Sequence, residues 1–181
     1  MQDYQRAFVD FLLEAEALRI GEFRLKSGRI SPLFLNAGQI HTGGQLAHVG
    51  RACAAALLDR VGADAFDVVF GPAYKGIPLA VATVMGLAEQ GVEKPYLSDR
   101  KEAKTHGAEA SSGSVAKRLL GRPPADDCRF VMIDDVLTTG GTKDEAAALL
   151  KEIATQGSCV ALMILLDRQE TAPDGSEAVA S

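Results

Sequence analysis

From residue 66 onward the chain alternates short apolar runs with helical stretches, and that alternation restricts the fold more than any other feature. Residues 66–70, 94–98, 129–133 and 158–166 read as strands, with helices over 76–90 and 141–156 between them. Apolar strands separated by helices argue for an α/β domain with a central, mostly parallel sheet flanked by helices on both faces. Ligands in such sheets gather at the carboxyl ends of the strands. Phe70, Ser98, Asp134 and Leu166 mark those ends, and the residues just after them are the unusual ones.

Upstream, residues 4–19 predict an amphipathic helix with Phe8, Phe11, Leu12, Ala15 and Leu18 on one face and Gly21 after it. Residues 23–36 suggest two short strands or a hairpin-like entry. Residues 44–58 predict a second helix, with a stripe through Leu46, Val49, Cys53, Ala56 and Leu57. Between Asp99 and Asp127 apolar periodicity fades, and Ser, Gly, Ala, Pro and charge dominate. A gap of that length inside a compact domain is a functional lid or a disordered segment. The tail over 171–181 is small and polar and is expected to fray. With 181 residues, no internal repeat and no boundary signal, a single domain over 1–181 is expected.

Apolar residues make up 47% and charged residues 24%, as in a soluble globular protein. A net charge of −5 argues against nucleic-acid or anionic-membrane binding, since both need a positive footprint. Any polyanionic substrate must then be met by a local cluster of cations. Cys53, Cys128 and Cys159 are odd in number and irregularly spaced, which fits reduced thiols rather than a disulfide frame or zinc site. Cys53 and Cys159 are expected to be core filler. The polar start, with Gln2, Asp3 and Arg6, carries no secretory signal, and no apolar run approaches the roughly eighteen residues of a membrane span. The cytoplasm is the default location.

The most specific stretch is VMIDDVLTTGGTK, residues 131–143. A strand delivers Asp134 and Asp135 to its carboxyl end. A turn through Val136, Leu137, Thr138, Thr139 and Gly140 then opens a helix at Gly141 and Thr142. Free N–H groups and the dipole at a helix start favour an anion, and the threonines add hydroxyl donors. Two carboxylates would repel a bare phosphate, so a ribose 5-phosphate suits better: its hydroxyls donate to the acids while its phosphate rests in the turn. A Walker loop places its glycines differently, and a dinucleotide turn places its acid about twenty residues after them. The plainer alternative is a glycine turn with two solvated aspartates.

Three further segments bear on the same chemistry. RKEAKTHG, residues 100–107, opens the long loop with Arg100, Lys101, Lys104 and His106. A lid with those cations would neutralise a departing pyrophosphate, although a KEAK stretch can equally be a solvated loop. FGPAYKGIP, residues 70–78, places Tyr74 and Lys75 in a glycine-flanked turn where Lys75 supplies a point charge. There Gly71 and Gly76 are expected to let backbone amides face a diphosphate. LKSGRISPLFLNAG, residues 25–38, offers the Phe34 ring for a planar base and Lys26 for its acidic edge. Arg168, just past the last strand, has a planar fork suited to a carboxylate.

Taken together, LKSGRISPLFLNAG, FGPAYKGIPLA, RKEAKTHG, the acid-acid turn and LDRQ resemble the orotate phosphoribosyltransferases, in the same order and at similar spacing. The resemblance runs from about Lys26 to Gln169. The acid-acid turn is shared by all type I phosphoribosyltransferases; the RKEAK-x-HG and LKSG segments are specific to this enzyme. It implies the type I phosphoribosyltransferase fold, with a small N-terminal hood at about 1–40 and a flexible catalytic loop at about 99–128. It also implies Mg²⁺-dependent transfer of ribose 5-phosphate from phosphoribosyl pyrophosphate (PRPP) to orotate, giving orotidine 5′-monophosphate and pyrophosphate in pyrimidine synthesis. By position, residues 136–142 hold the 5′-phosphate and Asp134 and Asp135 the ribose hydroxyls. Lys26, Tyr74, Lys75, Arg100, Lys101, Lys104 and His106 meet the diphosphate, and Lys26, Phe34, Leu35, Thr138 and Arg168 surround orotate. No direct protein ligand to Mg²⁺ is implied. A homodimer is, with lid residues acting on the partner's substrate; proton delivery falls to Lys104 or His106.

Two features depart from the family pattern. The span from His106 to the acid-bearing strand is longer and contains Pro123 and Pro124, and the chain stops soon after Arg168, where relatives typically add a strand and helix. Two rival readings compete with this one. A regulatory PRPP sensor would lack the basic lid and carry a DNA-binding module. A purine phosphoribosyltransferase would not need LKSG or Arg168.

Overall fold

A computed structural model describes residues 3–25, 28, 30–101, 116–136 and 141–167, with backbone only at 3, 116 and 141–144. Four helices, α1 (Asp3–Glu14), α2 (Gly43–Arg60), α3 (Gly76–Glu89) and α4 (Gly141–Ile153), join two sheets. Strands β1 (Leu18–Arg24) and β2 (Ile30–Leu35) form an antiparallel hairpin. The second sheet contains β3 (Val68–Phe70), β4 (Tyr96–Asp99), β5 (Leu119–Leu120), β6 (Arg129–Val136) and β7 (Ser158–Leu166), in the order β5-β4-β3-β6-β7. Among the described residues of this second sheet, only the β4–β5 pairing is antiparallel.

Side-chain alternation assigns the two faces of this sheet. Val69, Val131 and Ile133 pack into a core shared with α2 and α3 through Val49, Leu57, Leu79 and Leu87. Val68, Phe70, Phe130 and Met132 point the other way, against Ala146, Leu149 and Leu150 of α4. The chain leaves β3 through α3 to reach β4 on one side, and leaves β6 through α4 to reach β7 on the other. The crevice between β3 and β6 is therefore the topological switch point.

The sheet and helices expected from residue 66 onward are present, with ends shifted by a few residues, and β7 has the expected limits. Two local expectations are corrected. The first helix stops at Glu14 rather than at 19: Glu16 takes a positive φ of 54°, and Leu18 already belongs to β1. Gly21 is no helix stop but sits at the β1 irregularity between Ile20 and Phe23, under the Phe23 ring. Second, part of the expected loop over 99–128 is structured. β5 pairs with β4 (Ser98 opposite Leu120, Asp99 opposite Leu119), and Asp126 accepts from the Thr155 N–H and hydroxyl after α4. A two-residue strand carries too little periodicity to be read from sequence.

At the opposite, amino-terminal edge of the sheet, Asp67 and Arg129 clamp β3 to β6. Arg129 donates from Nε (3.0 Å), from its NH2 nitrogen (2.7 Å) and from its backbone N–H (2.8 Å) to the one carboxylate. The Arg129 side-chain and backbone bonds hold the Asp67 carboxyl down at about 2. Cys53 is buried, which pushes its thiol up to about 12, and buried Cys128 rises to about 11. Cys159 is exposed on β7, so it is not the core filler expected from its apolar neighbours.

Candidate active site at the carboxyl edge of the sheet

Strand β6 carries its polar pair to the switch point. Continuing the alternation of β6, Asp134 follows Met132 on the α4 side and Asp135 follows Ile133 on the α3 side. Both are buried, at 9% and 6% exposure. Buried carboxylates need partners. Asp134 Oδ1 accepts the Asp135 N–H at 2.9 Å, and Asp135 Oδ1 accepts the Val136 N–H at 2.9 Å. The remaining oxygen of Asp135, Oδ2, receives Lys75 Nζ at 2.7 Å.

Lys75 reaches that position because the turn after β3 is tight. A Cβ on Gly71 would run into the Gly76 carbonyl, and one on Gly76 would lie 2.7 Å from Pro72 Cδ. The two glycines therefore serve close approach of the turn to itself and to α3. Their amides are engaged internally: Gly71 N–H donates to Leu97 O at 2.9 Å and Gly76 N–H to Pro72 O at 3.0 Å. The amides of the glycines themselves are thus occupied within the turn and the sheet. Tyr74, joined to Ala73 by a cis peptide, projects outward at 71% exposure, and the Lys75 side chain is 63% exposed.

The base of the long loop adjoins this turn. Asp99, at the end of β4, accepts the Ala73 N–H through Oδ1 and lies 4.0 Å from Lys101 Nζ through Oδ2. Arg100 is tied to β5, its N–H to Arg118 O at 2.7 Å and its Nε to Leu119 O at 2.8 Å. Asp99 was not among the residues singled out from sequence. An acid directly before the Arg100–Lys101 pair, at a strand end, was the signal available.

The structure thus brings together Asp135 and Lys75 directly, with Tyr74 on the same turn and Arg100 and Lys101 beside it through Asp99. Gly141 and Thr142 open α4, as expected for the end of the turn. Phe34 lies on β2, 37% exposed and stacked on Phe23 at 5.4 Å. Leu35 is buried at 6% in the core, paired with Leu18 of β1. Lys26, Lys104, His106, Leu137, Thr138, Thr139, Gly140 and Arg168 lie outside the described residues.

No group of three or more metal-binding side chains occurs among the described residues. A cavity of about 730 Å³ opens at the opposite edge, lined by Asp67, Tyr96, Arg122, Pro123, Pro124 and Arg129, among others. It does not include the acidic pair. The site chemistry follows the switch point, not the size of the cavity.

The paired acids thus lie at the switch point of a mostly parallel sheet, on the strand that precedes α4. The model of the phosphoribosyl transferase domain matches residues 36–179. An orotate phosphoribosyltransferase of Colwellia psychrerythraea is 47% identical over 171 residues, covering 94% of this chain and 72% of its own. One from Agathobacter rectalis is 45% identical over 176 residues, covering 97% and 74%. The crystal structure of the Francisella tularensis orotate phosphoribosyltransferase aligns with a TM-score of 0.76 at 36% identity, covering 94% of this chain and 76% of that one. The chain belongs to the orotate phosphoribosyltransferase family, within the phosphoribosyl transferase domain proteins.

Proposed function

We propose that the chain transfers the 5-phosphoribosyl group of PRPP to N1 of orotate, releasing pyrophosphate and forming orotidine 5′-monophosphate for pyrimidine synthesis. The observation that carries the reading is the buried Asp134–Asp135 pair at the switch point, with Asp135 meeting Lys75 and α4 beginning at Gly141. The ribose 2′- and 3′-hydroxyls donate to the two carboxylates, and residues Thr138 to Thr142 take the 5′-phosphate. When a hydroxyl replaces Lys75 on Asp135, the freed ammonium turns to the diphosphate with Tyr74 beside it. Lys26, Phe34, Leu35, Thr138 and Arg168 orient orotate.

As the bond from C1 of the ribose to pyrophosphate breaks, positive charge grows on the sugar and negative charge on the leaving group. Arg100, Lys101, Lys104 and His106 offset the latter and exclude water. Lys104 or His106 returns a proton to pyrophosphate. Bound through the donor diphosphate, Mg²⁺ would add to the neutralisation of that charge. No enzyme nucleophile is required, because orotate held as an anion attacks through its own nitrogen.

We place the enzyme in the cytoplasm as a homodimer whose lid residues serve the partner's site. Three free thiols fit a reducing compartment, and no helix among the described residues is long and apolar enough to cross a membrane. A dimer is supported by α3, which carries no charge before Glu89 yet leaves Pro78, Met85 and Ala88 exposed.

Loss of orotate absorbance on mixing with PRPP and Mg²⁺ tests the reading, with adenine and hypoxanthine as competing bases. Orotate consumed with stoichiometric pyrophosphate supports it. Consumption of a purine instead, or PRPP binding with no base consumed, refutes it in favour of one of the two rivals.

A further inference from the structure

Asp99 occupies a junction that the proposed chemistry leaves unassigned. It closes β4 and pairs in register with Leu119 of β5. One of its carboxylate oxygens receives the Ala73 N–H, in the middle of the turn that presents Tyr74 and Lys75. The other lies 4.0 Å from Lys101 Nζ, and the next residue, Arg100, is fixed by its N–H and Nε to Arg118 and Leu119 carbonyls. Its side chain is only 15% exposed.

The turn needs such an anchor. Gly71 N–H is bonded to Leu97 O and Gly76 N–H to Pro72 O, so both ends of the turn are held by backbone. Ala73 N–H, between them, has a side chain as its partner. An ionised acceptor is the strongest available for a backbone N–H, and removing it leaves a mostly buried donor unpaired. Ala73 is itself 8% exposed, so water replaces that acceptor poorly.

We propose that Asp99 is a positioning residue for the pyrophosphate half of the donor: it fixes the Gly71–Lys75 turn through Ala73 and holds Lys101 at the mouth of the same site. The inference rests on the PRPP reading above. Asp99 contacts neither reacting atom; its effect passes through Tyr74, Lys75 and Lys101. Because the same carboxylate serves both sides, its loss loosens the turn and releases the Lys101 ammonium together.

Steady-state kinetics of the full-length enzyme, with thermal melts to confirm folding, test this. Asp99→Ala is expected to raise KM for PRPP about tenfold or more, the cost of one charge-assisted hydrogen bond, with KM for orotate changed less than about twofold. Asp99→Asn retains an acceptor for Ala73 and is expected to recover KM to within about threefold of the parent. Asp99→Glu keeps the charge but moves the acceptor by about one bond, and is expected to raise KM for PRPP as Ala does. If Asp99→Ala fails to fold, the Asn–Glu contrast decides alone. Equal rises for both substrates, no rise with Glu, or a defect in Asn as large as that in Glu overturns the proposal. Absence of orotate turnover in the parent enzyme would instead overturn the proposed function, so the two failures are distinguishable.

Discussion

At the scale of single residues, the account turns on two carboxylates whose burial demands partners. Asp134 and Asp135 spend one oxygen each on the next backbone N–H, and Asp135 takes the Lys75 ammonium on the other. Burying them costs free energy that a solvated acid at a strand end would not incur. Replacing both by Asn keeps their size and removes their charge. Each charge-assisted hydrogen bond to a ribose hydroxyl is worth about 1.5–3 kcal/mol, or roughly ten- to a hundredfold. The double variant Asp134→Asn–Asp135→Asn is therefore expected to lower kcat/KM for PRPP by about a hundredfold or more, measured by initial rates at low donor concentration. The acidic pair, its strand and the helix start at Gly141 were all legible in the sequence, because a short apolar run ending in Asp-Asp is followed there by a threonine- and glycine-rich turn. Asp99 at its strand end was visible in the sequence, but its role was not, since that depends on Ala73, brought beside it only when β3 and β4 pair.

At the scale of elements, the sheet is held at both edges by different means. Asp67 and Arg129 join the amino ends of β3 and β6, and the Arg129 bonds keep the Asp67 carboxyl at about 2, below its ordinary value near 3.8. A carboxyl depressed by folding stabilises the protein above its unfolded pKa, and that contribution is lost as pH falls through the folded value. Asp67→Asn is thus expected to cost about 1 kcal/mol near pH 6, after allowing for solvent screening of this half-exposed pair, and progressively less from pH 4 down to pH 2. Urea unfolding of both proteins across that range checks it. Between α2 and α3, Gly50 and Gly86 permit backbone contact: a Cβ on Gly86 would lie 2.5 Å from the Gly50 carbonyl carbon. Alanine ordinarily stabilises a helix interior, but here overpacking outweighs propensity. Gly86→Ala is expected to destabilise by about 1–3 kcal/mol in the same assay. The helices themselves were legible from apolar stripes. Their closest crossing was not, because a glycine inside a helix looks like weak propensity until the neighbouring helix is in place.

At the scale of the whole molecule, the layered α/β architecture decides where chemistry can occur. The largest share of apolar burial lies on the two faces of the sheet, which leaves the strand ends as the places where polar groups converge. The order of strands, not composition, puts the switch point between β3 and β6. Sequence alternation announced a parallel sheet; it did not reveal β5, which doubles back antiparallel and ties down Arg100. The uncharged outer face of α3 follows the same logic, since an apolar helix face without a partner is a candidate interface. If the proposed homodimer uses it, Met85→Lys shifts sedimentation toward a single chain at concentrations where the parent sediments as two. The carboxyl-edge account itself is tested most directly by a crystal structure determined with PRPP and Mg²⁺. It predicts the donor at the switch point, its ribose hydroxyls on Asp134 and Asp135, its 5′-phosphate at the start of α4, and Lys75 withdrawn from Asp135 toward the diphosphate. PRPP found instead in the cavity beside Pro123 and Pro124, with Lys75 still on Asp135, would contradict it.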